Sequence, residues 1–130
     1  MITAELLTLR LKNLINKRLI GQDYEKAAEQ FLATQGLKTL ARNFNCKLGE
    51  IDLICQQNEY LVFVEVRYRK SSQYGGAGGS ISQSKQNKVK KAAQYYLQQK
   101  NINLNHCAIR FDVVTIDGKI DNLNWIKNAF

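Results

Sequence analysis

The sequence predicts a mixed α/β fold, a sheet of four or five strands with helices packed on it. Three observations lead there: a helical stripe between Gln22 and Gln35, two adjoining apolar runs at Glu50–Cys55 and Tyr60–Tyr68, and a second helical stripe after Ser84 that precedes one more strand-like run. A length of 130 residues suits one domain, and 45% apolar residues can fill a single core. A basic lead-in helix or arm is expected over residues 1–20 and one domain over 21–130, with no linker.

Met1 to Leu19 is Leu-rich and sets Arg10, Lys12, Lys17 and Arg18 against Glu5. It lacks a signal-peptide core and a small-residue cleavage site, so it reads as an amphipathic lead-in and not as a targeting segment. Tyr24, Ala27, Ala28, Phe31 and Leu32 then share one helical face, and Gly36 ends that helix. Glu25 lies on the stripe of Ala28 and Leu32, at the border of the buried face. Leu37 to Asn45 reads as a first strand and Cys46 to Gly49 as a turn. Glu50–Cys55 and Tyr60–Tyr68, rich in Ile, Leu, Val and Phe, form an antiparallel hairpin across Gln56–Glu59.

Ser71 to Ser84 holds four of the eight glycines and no apolar period, which predicts a mobile loop. In the helix expected over Ser84 to Lys100, Val89, Ala92, Ala93, Tyr96 and Leu97 form the buried stripe, with Lys85, Lys88 and Lys91 beside it. Arg110 to Ile116 reads as a strand, Asp117-Gly118 as a tight turn, and the rest as a short strand or tail.

Nineteen Lys and Arg against 11 Asp and Glu give a net charge of +8, which suits a polyanionic partner or simply a solvated basic surface. Cys46, Cys55 and Cys107 are odd in number and lack a C-x-x-C pair, so free thiols in a reducing compartment are expected. The single His106 beside Cys107 offers no zinc spacing. No apolar run approaches the roughly 20 residues that cross a bilayer, so the expected place is the cytoplasm, away from membranes.

A hairpin turning on Asn58-Glu59 sets Asp52 opposite Glu65 and Glu50 opposite Arg67. Such cross-strand pairs bring Cβ atoms within about 4.5–5.5 Å, close enough for two carboxylates to share a cation. Alternation puts Ile51, Leu53, Cys55, Val62, Val64 and Val66 on one face; the other carries Ile54, Leu61 and Phe63, then Glu50, Asp52, Glu65 and Arg67 at one corner. Repelling, partly desolvated carboxylates require a cation. Either Arg67 is that cation, bridging Glu50 and Asp52, or the surplus of acids is an oxygen site for Mg²⁺ or Mn²⁺.

Several short motifs occur in a fixed order: G-x-x-x-E-x-x-A at Gly21–Ala28, R-N at Arg42-Asn43, G-E-I-D-L-I at Gly49–Ile54, V-E-V-R-Y-R at Val64–Arg69, Y-G-G at Tyr74–Gly76, Lys85 with its helix, and R-F-D-V-V at Arg110–Val114. Together they resemble the YraN-like family of small uncharacterised bacterial proteins, from about Gly21 to the end. That family is similar to the PD-(D/E)xK nucleases, whose restriction-endonuclease-like fold includes archaeal Holliday-junction resolvases. The resemblance implies that Asp52 and Glu65 hold a divalent metal, that Val66 lends its carbonyl, and that Glu25 is an additional acid acting on the metal or its water. It also implies DNA as substrate, branched or single-stranded, and allows a homodimer, since related resolvases cut with paired subunits.

Arg67 stands where that pattern has Lys. An arginine stays protonated, so its expected roles are to clamp a phosphate or stabilise the transition state, leaving water activation to the metal. Lys85 opens the second helix, where many nucleases of this fold carry a polar residue reaching toward the site. Lys85, Lys88, Lys91 and Arg69 are candidate phosphate contacts, or members of solvated faces. Tyr74, Tyr95 and Tyr96 are candidates for base stacking, although Tyr96 fits the core stripe. The expectation is a metal-dependent nuclease; a nucleic-acid-binding module without turnover, and an interaction subunit with a salt-bridge network at the corner, are the competing readings.

Overall fold

Leu61, Val62, Phe63 and Val64 form an unbroken apolar run because their strand is central and covered on both faces. The structure, a computed structural model, describes residues 3–70 and 81–130, with the backbone alone for residues 13–22. In chain order its elements are α1 (Ala4–Thr34), β1 (Lys38–Cys46), β2 (Gly49–Gln57), β3 (Tyr60–Arg69), α2 (Gln83–Gln99), β4 (Ala108–Asp117) and β5 (Leu123–Ile126). The strands lie in sequence order in one sheet. All neighbours are antiparallel except β3 and β4, which run parallel with α2 as the crossover. This is the mixed five-stranded, restriction-endonuclease-like α/β architecture that the sequence predicts.

The hairpin has the predicted register: Leu53 pairs with Val64, Ile54 with Phe63 and Gln57 with Tyr60, leaving Asn58-Glu59 as the turn. Asn58 takes a positive φ of 53°, which Asn tolerates in tight hairpin turns. One face of the sheet packs Leu53, Cys55, Val62, Val64 and Val114 against Ala28 and Leu32 of α1. The other packs Ile54, Leu61, Phe63 and Phe111 under Val89, Ala92, Ala93, Tyr96 and Leu97 of α2.

Ile51 departs from the predicted alternation. It belongs to the cluster under α2, with Phe44 packed against it, and not to the face of Leu53. Asn43, adjoining its partner Phe44 on β1, has a φ of 50°, and this left-handed kink turns the end of the β1–β2 hairpin toward α2.

The lead-in and the predicted first helix are one helix, begun by Thr3, whose side chain accepts from Leu6 N at 3.2 Å. Good helix formers and the absence of proline allow it to continue. It ends as Gly36 demands: Gly36 has φ 90°, its N–H reaches Ala33 O, and the Leu37 N–H reaches Leu32 O. The predicted loop and Tyr74 fall on residues 71–80, outside the described residues; its last residues, however, start α2, with Ser82 as N-cap. No helix among the described residues is long and apolar enough to cross a membrane.

Candidate metal centre

The backbone ladder between β2 and β3 runs from the turn to Leu53↔Val64 and stops there. Beyond that fork the Val66 N–H finds a side chain: Asp52 Oδ2 accepts it at 2.8 Å. This bond fixes the Asp52 carboxylate. On a strand the N–H and C=O of one residue face the same neighbour, so the carbonyl of Val66 is directed to that side as well.

Asp52, Glu65, Val66 and Arg67 line one cleft of about 470 Å³ together with Ile81, Ser82 and Lys85 from the start of α2. Lys85 Nζ stands 3.4 Å from Glu65 Oε2, too long for a strong charged hydrogen bond. Glu65 Oε1 is buried and has no hydrogen-bond partner. Burial, then the Asp52 charge, pushes the Glu65 carboxyl up to about 7 against the relief from Lys85. Asp52 is also raised, by burial first, then by Glu50 and against the Val66 bond and Lys85. Lys85, twenty residues from Glu65 in sequence, is a cation that relieves both acids.

Two details of α2 place Lys85. Ser82 Oγ accepts from the Lys85 N–H at 3.1 Å, which caps the helix. Gly49, at the start of β2, lets the helix backbone come close: a Cβ there would lie 2.7 Å from Lys88 O. The first turn of α2 contains no acid, and a lysine in that turn opposes the helix dipole, so this end of the helix favours an anion in the cleft.

An oxygen donor set with an orphaned buried carboxylate oxygen fits a hard divalent cation. Among the described residues, however, no three acidic, His or Cys side chains converge on one point. Glu25, expected as an additional acid acting on the metal or its water, lines a neighbouring cleft with Lys26, Glu29, Arg42, Asn43 and Leu53; burial first, then the Asp52 charge, raises its carboxyl.

Arg69 requires a correction. Expected on the nucleic-acid surface, its guanidinium instead donates to both oxygens of buried Asp117, at 2.7 and 3.0 Å, with 17% of the side chain exposed. Lys88 and Lys91 are exposed on α2 and do not line the cleft. Tyr96 is core, while Tyr95 is exposed beside Phe44. The sequence signal for Ser82 is its place just ahead of the helical stripe, where Ser is a favoured N-cap residue.

Residues 24–116 match the family described as Uncharacterised protein family UPF0102. The chain belongs to this family. A UPF0102 protein of Aeromonas hydrophila is 48% identical over 110 residues, 85% of this chain and 83% of the relative. One from Vibrio campbellii is 47% identical over 116 residues, 89% and 95% of the two chains. One from Saccharophagus degradans is 52% identical over 110 residues, 85% and 91%. The UPF0102 match spans the fork in the sheet, both acids and α2, and begins after the lead-in half of α1.

Proposed function

We propose that this chain is a divalent-metal-dependent phosphodiesterase that cuts DNA at the Asp52–Glu65 cleft. The observation that carries the reading is the buried Glu65 carboxylate, with one oxygen unpartnered and its pKa raised to about 7, next to a second raised carboxylate. A structural salt-bridge network would satisfy both Glu65 oxygens, whereas the unpartnered Oε1 is one that a bound cation would take up.

Asp52, Glu65 and the Val66 carbonyl would hold Mg²⁺ or Mn²⁺. A bound ion polarises a phosphoryl oxygen and lowers the pKa of a water. The chain's own residues do the rest. Asp52 is pinned by Val66 N–H and presents its other oxygen. Glu65, with its carboxyl pushed up to about 7, would release its proton near neutral pH to hold the ion. The Lys85 side chain, 44% exposed on the cleft, would bring its Nζ to charge developing on a scissile phosphate. Ser82 and the first turn of α2 offer a phosphate the positive end of a helix. Arg67, on the cleft wall, adds a guanidinium that clamps a second phosphate.

The test is a cleavage panel over duplex, single-stranded, flap and four-way-junction DNA with and without Mg²⁺ or Mn²⁺. Cleavage should need the metal and vanish in Asp52→Asn while the fold persists. Lys85→Ala should lower cleavage about ten- to a thousand-fold and at the same time tighten Mn²⁺ binding, by removing a competing cation. DNA binding without cleavage of any substrate would assign the chain to a non-catalytic binding module. Absence of both metal and DNA binding would leave a structural corner.

A further inference from the structure

Along the face of the sheet that lies under α2, the paired strands β3 and β4 fix which side chains are neighbours. Phe63 faces Phe111, with ring centroids 5.5 Å apart. Further along the same two strands Arg69 faces Asp117, and the two are joined by an ion pair at 2.7 Å. Side chains alternate along a strand, so the pairs between these two on the same face are Glu65 with Val113 and Arg67 with Thr115. Thr115 therefore stands beside Arg67 and diagonal to Glu65, a separation of about 7–8 Å between Cα atoms.

Thr115 is completely buried. Its Oγ1 and the Oε1 of Glu65 are the two buried side-chain oxygens without a hydrogen-bond partner among the described residues. An unpaired buried hydroxyl destabilises a fold, whereas an apolar group of the same shape does not. Both orphans lie on one face of neighbouring strands, where a single guest could serve the two. A hydroxyl both donates and accepts, so it can hold a water. A small hard cation on oxygen ligands keeps several of its waters. Through one of them it reaches an oxygen about 4–5 Å away, the scale of a diagonal pair whose longer member is Glu.

We infer that Thr115 is a positioning residue of the metal centre: its hydroxyl holds a water from the hydration shell of a divalent cation bound at Glu65, and so steadies the ion from the β4 side. The inference rests on the proposed cation at Asp52 and Glu65. Asp52 on β2 and Thr115 on β4 flank Glu65 on β3 from its two sides. A carboxylate oxygen has two lone pairs, so Glu65 Oε1 can serve the ion and its water together. The hydroxyl is a cost in the metal-free chain and a gain in the metal-bound one. Partners of this outer kind orient the ligands, and losing one weakens metal binding about 10- to 100-fold.

The experiment measures Mn²⁺ affinity directly, from the paramagnetic resonance signal of free Mn²⁺, for the parent, Thr115→Val and Thr115→Ser. Thermal melts of all three are recorded in EDTA and at one fixed Mn²⁺ concentration. Thr115→Val should bind Mn²⁺ about 10- to 100-fold more weakly. Thr115→Ser keeps the hydroxyl and should recover most of that loss. In EDTA Thr115→Val should melt above the parent, because an unpaired hydroxyl has gone; with Mn²⁺ it should gain less in Tm than the parent does. Should Thr115→Val unfold, Thr115→Ala takes its place with the same expected loss of affinity. Unchanged Mn²⁺ affinity in Thr115→Val, or an equal loss in Thr115→Ser, overturns the inference. A parent that binds Mn²⁺ and cuts DNA while Thr115→Val binds the ion equally well leaves the nuclease reading standing without Thr115. A parent that binds Mn²⁺ with the help of Thr115 but cuts no DNA leaves the role of Thr115 without the nuclease. A parent that binds no Mn²⁺ overturns both.

Discussion

Glu65 is an acid held where an acid is costly, and that cost is measurable. With 5% of the side chain exposed and the carboxyl raised to about 7 from 4.5, the folded chain binds its proton more tightly than the unfolded chain does. The resulting stabilisation is complete below about pH 4.5 and is lost as pH rises through about 7. A shift of this size is worth roughly 3 kcal/mol. Urea unfolding at pH 5 and pH 8 should show Glu65→Gln lacking a fall on the order of 2–3 kcal/mol that the parent shows; parallel slopes would mean that the carboxyl is ordinary. Thr115 offers a control on the same strand system. Its hydroxyl is buried without a partner, so Thr115→Val should stabilise the protein by about 1 kcal/mol. Asp52 and Glu65 were legible in the sequence because a two-residue turn fixes which residues face each other. Lys85 was named there only through the resemblance, since a helix crossover decides where it docks and no strand register reports it.

Elements bring the site together, and the contact of α2 with the β1–β2 hairpin is the decisive one. Gly49 sits against the carbonyl of Lys88, and a methyl at 2.7 Å from a backbone atom has nowhere to go. Gly49→Ala should therefore cost about 1–3 kcal/mol by overpacking and lift Lys85 from Glu65. Thermal melts and the pH titration of Glu65 together would show this: a loss of stability with the Glu65 carboxyl rising further, because Lys85 no longer relieves it. Unchanged stability would mean that the hairpin swings away freely. In the sequence the glycine stands at the end of a turn and opens the G-E-I-D-L-I motif. Its partner was not visible there, because helix-to-turn contact leaves no periodic mark. Ile51 is a similar case: strict alternation assigned it to the face of Leu53, and one left-handed residue on the neighbouring strand, Asn43, moved it to the other.

At the scale of the whole molecule, the net charge of +8 is compatible with a polyanion partner or with mere solvation, and the fold distributes that charge unequally. Arg69 and Arg110 are spent inside, on Asp117 and on fully buried Asp112, and Arg42 holds Glu29. Lys88 and Lys91 remain exposed on α2, about 4.5 and 9 Å along the helix axis from Lys85. A strand whose scissile phosphate sits at Lys85 would have its flanking phosphates within reach of them. Each phosphate so neutralised releases counterions, so replacing both lysines with alanine should lower the slope of log Kd against log salt by about one to two and weaken binding of all DNA sequences alike. Because neither lysine lines the Asp52–Glu65 cleft, cleavage of saturating DNA at low salt should stay within about twofold of the parent. A lost cleavage rate with an unchanged salt slope would place these lysines in the chemistry instead. An unchanged slope and rate together would reduce the basic face of α2 to a solvated surface.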